Sequence, residues 1–295
     1  VSKARNYNFA PIKNLGFSIF ARIPNLASTE FSMSFSPTAT STSTNYLNVE
    51  SSEDVPTSDT SIASHAGAGF FCKEITNRNP NPNRPLRILV AGCGAGHEAV
   101  AIQQELAATV DAVDIEDFVS PILKSQTSVR FGVASVCKLD FANESFDAIF
   151  YHHVIEHVDN PAASLRELSR VLASGGWLFV GTPNRHRLLS SIGAHKQSTW
   201  EATFSNKLAD NIRDWKDRLT GRFRNELGAH AGFSRKELDT MLSLHFEDRY
   251  WLTEEYLKFK YSSGRATSLL PIATHPTICW FSAPAIYALC RKKLG

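Results

Sequence analysis

Three glycines at alternate positions, in Gly92-Cys93-Gly94-Ala95-Gly96, follow directly on the apolar run 86–91 (LRILVA). Glycine lets the backbone turn tightly and approach a ligand closely, and a helix starting just beyond offers free N–H groups. The arrangement reads as a nucleotide-binding turn. Alone it does not name the nucleotide, because dinucleotide-binding domains use a related G-x-G-x-x-G loop. Asp114 ends the next expected strand, eighteen positions beyond Gly96. A carboxylate there can accept both ribose hydroxyls of an adenosine; its other reading is the cap of the following helix. A second group is rich in imidazole. His152, His153, Glu156 and His157 follow an apolar run, and His230 stands apart in the segment 228–235 (GAHAGFSR). Three roles compete for them. His157 caps or packs against the ligand loop, with His152 touching the ligand through its backbone; or His153 or His157 is a general base for a substrate hydroxyl; or the group holds a divalent ion that lowers a hydroxyl's pKa.

For these groups to meet, the turn, Asp114 and the histidines must share one edge of a sheet. Residues 86–91 have strand length, and 97–106 reads as a helix. Strands are expected again at 109–115 (TVDAVDI, ending in Asp114 and Ile115), 129–133, 146–152 (FDAIFYH) and 177–181 (WLFVG). Between the last two, 161–172 carries Leu165, Leu168, Val171 and Leu172 at helical spacing, with Pro161 suited to the first turn and Gly175-Gly176 placed to stop it. Strands alternating with helices predict a parallel sheet covered on both faces, with ligands beyond the carboxyl ends of its strands. Further on, 234–244 predicts a helix with Ser234 as N-cap and Glu237 at the capping-box position. Strands are expected at 246–252 and 285–290. Asn77 to Pro85 (NRNPNPNRP) can continue neither a helix nor a central strand.

Thirty-one basic against 29 acidic residues leave a formal charge of +2, too little to argue for nucleic acid or a membrane surface. Five scattered cysteines without a C-x-x-C pair suggest reduced thiols, and with them a cytoplasmic setting. No apolar run reaches the ~20 residues that span a bilayer. The nearest, 278–290, is broken by Pro284 and is expected to be a buried strand with a flanking turn, or else a greasy lid near the substrate. Residues 1–65 differ from the rest: the first acidic residue is Glu30, and 32–44 is rich in Ser and Thr. They read as a poorly ordered extension, with an organelle-targeting segment as the alternative.

Taken together, these motifs resemble the class I methyltransferases, in the ubiquinone- and menaquinone-biosynthesis-like branch often labelled type 11. The likeness is close over 87–183 and looser over 228–246. The family's first motif falls on 90–96 (VAGCGAG), so Ala91, Gly92, Cys93, Gly94 and Gly96 are implied cofactor residues, with Asp114 as the ribose ligand and Ile115 beside it. Phe146-Asp147, Glu156-His157, the run 167–176 (ELSRVLASGG) and Thr182-Pro183-Asn184 match later family elements. Where relatives usually carry an acid for the adenine amino group this chain has Ser135; Asp140 is the other candidate. The resemblance implies a Rossmann-like α/β fold: a mostly parallel seven-stranded sheet, helices on both faces and an antiparallel last strand, within a domain over 66–295. It also implies S-adenosylmethionine as cofactor and methyl transfer to a small molecule, with a hydroxyl as leading acceptor. His153, Glu156 and His157 with His230 are similar to the E-x-x-E-H plus distant His of quinone and small-RNA methyltransferases, with His153 in place of the first Glu; no metal is assigned from this. The segment 187–227 stands where the family inserts its substrate cover. It mixes Trp200, Phe204, Trp215 and Phe223 with Arg213, Lys216, Arg218, Arg222 and Arg224. That mixture suits an amphipathic helix with a solvated basic face, or a cap admitting an aromatic or acidic small molecule; RNA is not favoured. Two alternatives stand beside this reading: a binding-only relative that has lost catalysis, and a nicotinamide-dependent oxidoreductase, which would need a second nucleotide site and a constellation such as Tyr-x-x-x-Lys.

Overall fold

The computed structural model describes residues 65–78, 84–187, 204–222, 232–262, 267–268 and 270–294. The expected extension over 1–65 lies, but for His65, outside the described residues. So do His230, Trp200, Phe223 and Arg224.

Among the described residues seven strands form one sheet: β1 (Arg87–Ala91), β2 (Thr109–Asp114), β3 (Arg130–Val133), β4 (Phe146–His152), β5 (Leu172–Pro183), β6 (Phe246–Trp251) and β7 (Ala285–Lys292). Their order is β3-β2-β1-β4-β5-β7-β6. The first five run parallel, and β7 is antiparallel to both β5 and β6. The expected Rossmann-like arrangement is thus present, and the ends of β1, β2 and β4 share one edge.

Period-2 alternation divides the strand residues between two apolar layers. Ile88, Val90, Phe150 and Phe179 face one side, where they meet Phe70 and Phe71 of α1 (Ala66–Arg78), Val100 and Ile102 of α2 (His97–Leu106), and Tyr256 of α7 (Thr253–Lys260). Leu89, Ile149, Tyr151 and Leu178 face the other, against Leu165 and Leu168 of α4 (Pro161–Val171) and Leu238 and Leu242 of α6 (Arg235–Leu242). Burying each such side chain contributes roughly 1.5–3 kcal/mol. The remaining helices are α3 (Pro121–Ser125), α5 (Phe204–Leu219), α8 (Leu270–Ala273) and α9 (Pro276–Ser282). None among the described residues is long and apolar enough to cross a membrane, and all five cysteines are free.

Two expectations are corrected. The fifth strand begins at Leu172, not Trp177, because Leu172 already pairs with Phe146. Gly175-Gly176 therefore bends the strand instead of ending the helix: a Cβ on Gly176 would stand 2.8 Å from the Ala173 carbonyl and 2.9 Å from that of Asp147. The second concerns 278–290. Residues up to Ser282 belong to α9, which Pro276 starts in the first helical turn, and strand begins only at Ala285, beyond Pro284. Helix α1 is an addition that the sequence pattern does not predict.

Candidate active site

The glycine turn is tied to the end of β2. Gly92 N and Cys93 N donate to the Val113 carbonyl at 2.8 and 3.0 Å. Gly94 N donates to Asp114 Oδ2 at 2.7 Å, and Ile115 N to Asp114 Oδ1 at 2.7 Å. Asp114 is thus part of the turn's own architecture, a role its spacing does not disclose. Gly92 has φ +79° and a Cβ there would meet Val154 Cγ2 at 2.2 Å, so both backbone and space demand glycine. Gly94, at φ +49°, differs: nothing lies within 4 Å of its virtual Cβ. It opens on a cavity of about 560 Å³.

That cavity brings most of the expected residues together. Gly92 and Gly94, Asp114 and Ile115, Ser135, and His153 and His157 all line it. Ala91 is buried beneath the turn, and Gly96 caps α2. Cys93 is half-buried; burial, reinforced by the Asp114 charge, pushes its thiol up to about 12, so it is no thiolate near neutral pH. Of the two adenine candidates Ser135 is in the wall. Asp140 is exposed and outside it, because Leu139 N is held by Glu167 Oε1 at 2.8 Å and the chain turns outward there. His152 stands behind the cavity: a Cβ on Gly67 of α1 would meet its ring at 2.5 Å, and one on Gly181 of β5 at 2.8 Å.

His153 follows β4 directly, in a left-handed conformation, φ +55°, with its N–H bonded to the Gly181 carbonyl at 2.8 Å. Such a φ on a non-glycine residue costs of order 1–3 kcal/mol and holds only where the surroundings fix it. Its Nδ1 lies 3.3 Å from Glu156 Oε1, and Glu156 Oε2 accepts from Thr182 Oγ1 at 3.0 Å. Burial and the neighbouring His152 push the His153 pKa below its usual value, against the opposing pull of Glu156. Burial raises Glu156, but its hydrogen bonds from His153 and Thr182 prevail and leave it low. His157 is exposed, at the end of a short 3-10 turn (Ile155–His157). Among the described residues no cluster of three His, Cys, Asp or Glu is arranged to hold a metal.

Several neighbours escape a reading of the sequence. Glu98, in the first turn of α2, stands 3.3 Å from His152 Nδ1. His152 Nε2 is buried without a hydrogen bond. His65 and His97 stack with ring centroids 6.3 Å apart. Glu98 follows the glycine turn by two residues, a signal that could have found it; His65 depends on recognising α1. The spacing Tyr-x-x-x-Lys does occur, at Tyr256 and Lys260. Tyr256 is 4% exposed and stacks on Tyr287 at 3.9 Å, away from the cavity. Of the 187–227 segment, α5 exposes Leu208 and Ile212 while Asn211 is buried.

The model of a family described as Methyltransferase domain matches residues 89–180. The Ubiquinone biosynthesis O-methyltransferase of Dinoroseobacter shibae is 28% identical over 192 residues, covering 62% of this chain and 74% of that one. Its namesake from Parvibaculum lavamentivorans is 29% identical over 185 residues, covering 60% and 70%. A Mycobacterium tuberculosis protein named "Probable S-adenosylmethionine-dependent methyltransferase" is 36% identical over 99 residues, 33% of this chain and 36% of that one. The matched stretch runs from β1 through β5, the part of the sheet that bears the glycine turn, Asp114 and the histidines. The chain accordingly carries a class I S-adenosylmethionine-dependent methyltransferase domain.

Proposed function

We propose that the chain moves a methyl group from S-adenosylmethionine to a hydroxyl of a small-molecule acceptor. One observation carries this reading: a single cavity is walled by the glycine turn, by the acid ending β2, and by His153 and His157. Methyl transfer needs donor and acceptor aligned in one space, and proximity supplies much of the rate. The residues suit the donor. Gly94 leaves room where any other side chain would intrude. Each Asp114 oxygen already takes one backbone N–H and keeps a lone pair for a ribose hydroxyl. Ile115, 68% exposed, offers an apolar face, and Ser135 a hydroxyl, to adenine.

When bound, S-adenosylmethionine supplies an electrophilic methyl group on a sulfonium sulfur. The chain's part is to align the acceptor hydroxyl and take its proton. His153 has the properties of such a base. Its lowered pKa keeps the ring neutral near pH 7, and Glu156 on Nδ1 leaves Nε2 as the basic nitrogen. His157 is the second candidate base on the same wall. The relatives named O-methyltransferase favour oxygen over nitrogen or carbon as the acceptor atom. Residues 66–295 form the proposed domain, with 187–227 as its substrate cap.

Calorimetric titration with S-adenosylhomocysteine tests the donor half. Wild type should bind, and Asp114→Ala should lose at least about 100-fold, as expected for two charge-assisted hydrogen bonds. Phenols and quinols are then the acceptors to screen. A folded wild type that binds neither S-adenosylhomocysteine nor S-adenosylmethionine would sink the reading.

A further inference from the structure

The same edge of the sheet carries a second cleft, of about 480 Å³, beyond the ends of β5 and β6. Pro183 and Trp251, at the ends of those strands, pair with Ala285 and Ala288 of β7, so both strand ends open there. The cofactor cavity stands over β1, β2 and β4 and shares no lining residue with this cleft.

Its walls combine flat aromatic faces with uncommitted positive charge. Trp280 of α9 is 57% exposed, and its ring stacks on His186 at 4.5 Å and 24°. Across the cleft the Arg235 guanidinium lies 4.8 Å from the Trp251 ring centroid. The two acids of α6 are already engaged. Asp239 accepts from Arg249 Nε at 2.9 Å. Glu237 is taken by the Ser234 capping box and by Arg185. The side chains of Arg235 and Lys236, both lining the cleft, have no ion-pair or hydrogen-bond partner among the described residues. The acids of α6 are thus occupied while its two cationic side chains in the cleft are not, and the cleft offers that positive charge to an anion. A guanidinium already laid on an indole loses less rotamer entropy when it binds a carboxylate bidentately.

We propose that this cleft is a binding site for a planar aromatic carboxylate, its ring stacked on Trp280 and its acid on Arg235 and Lys236. The assignment stands on the cleft's own residues and does not require the methyl-transfer reading.

The experiment is calorimetric titration of the full chain with 2-naphthoate and with its uncharged counterpart 2-naphthamide. Naphthoate should bind, and naphthamide at least about tenfold more weakly, the scale of one hydrogen bond to a charged group. Trp280→Ala and Arg235→Gln should each weaken naphthoate by about tenfold or more, with Arg235→Lys between Gln and wild type. The exposed Trp280 side chain can be removed without opening the core, and circular dichroism checks the fold. Equal binding of acid and amide, unchanged affinity in Trp280→Ala or Arg235→Gln, or no binding of naphthoate would each overturn the proposal. S-adenosylhomocysteine affinity should be untouched by Trp280→Ala. Failure of wild type to bind that nucleoside would count against the methyltransferase mechanism and leave the naphthoate result to stand by itself.

Discussion

At the scale of single residues, the proposed base is His153, on the cavity wall. Its pKa is lowered chiefly by desolvation, with the His152 field acting the same way and Glu156 opposing. A base must be unprotonated to act, so kcat/KM should rise with pH along an acid limb centred below the usual histidine value of about 6.5. Replacing Glu156 by Gln removes the group that raises the His153 pKa, and the limb should move to still lower pH. His153→Ala should lower kcat by about 100-fold or more and abolish the limb; a variant that keeps it would assign the proton to another group, with His157 next in line. The sequence points to His153 and His157 together, because both follow the fourth strand. Both are exposed, and only the fold separates them, by giving His153 a buried carboxylate partner. Asp140 and Ser135 are separated in the same way, by which of them turns toward the cavity.

At the scale of elements, α1 determines how the site is closed from behind. Phe70, Phe71 and Ile75 fix it in the core, and Gly67 lets it pass against the His152 ring. That ring is tethered by Glu98 and cannot swing aside freely. Gly67→Ala should therefore cost about 1–3 kcal/mol by overpacking, read as a lowered midpoint in urea. It should also weaken S-adenosylhomocysteine binding less than Asp114→Ala does, since Gly67 does not line the cavity. An unchanged midpoint would mean that α1 or the His152 ring can move aside far enough to admit the methyl. Strand and helix periodicity makes α2, α4 and β4 readable to within a residue. It does not reveal α1, whose sequence (AGAGFFCKEITNR) has two glycines in its first turn and no capping residue to announce a start.

At the scale of the molecule, the sheet is clamped at the edge opposite the site. Asp147, near the start of β4, receives both Arg84 Nη1 and Nη2 at 2.8 Å and Arg87 N at 2.9 Å, tying the entry of β1 to β4. Burial raises its pKa, but the hydrogen bonds from Arg84 and Arg87 prevail and hold it well below the carboxylate range. A carboxyl whose pKa is depressed by folding contributes stability that is present above its unfolded value of about 3.9 and lost as pH falls toward its folded one. Asp147→Asn should cost about 1–3 kcal/mol at pH 7. In urea titrations the gap between mutant and wild type should shrink from pH 5 toward pH 2; a constant gap would rule out ionisation as its origin.

By itself the sequence determined the glycine turn, the acid ending β2, the alternation of strand and helix, and the histidines after β4. These are local: each rests on a few consecutive residues whose backbone needs or periodicity show in one dimension. Tertiary structure alone decided that Asp114 braces the turn it serves, that Glu98 and α1 stand behind His152, and that Gly175-Gly176 bends a strand. It alone joined Trp251, Arg235 and Trp280 at one cleft. Those outcomes depend on which distant segments meet, and burial, close packing and charge pairing act on neighbours in space.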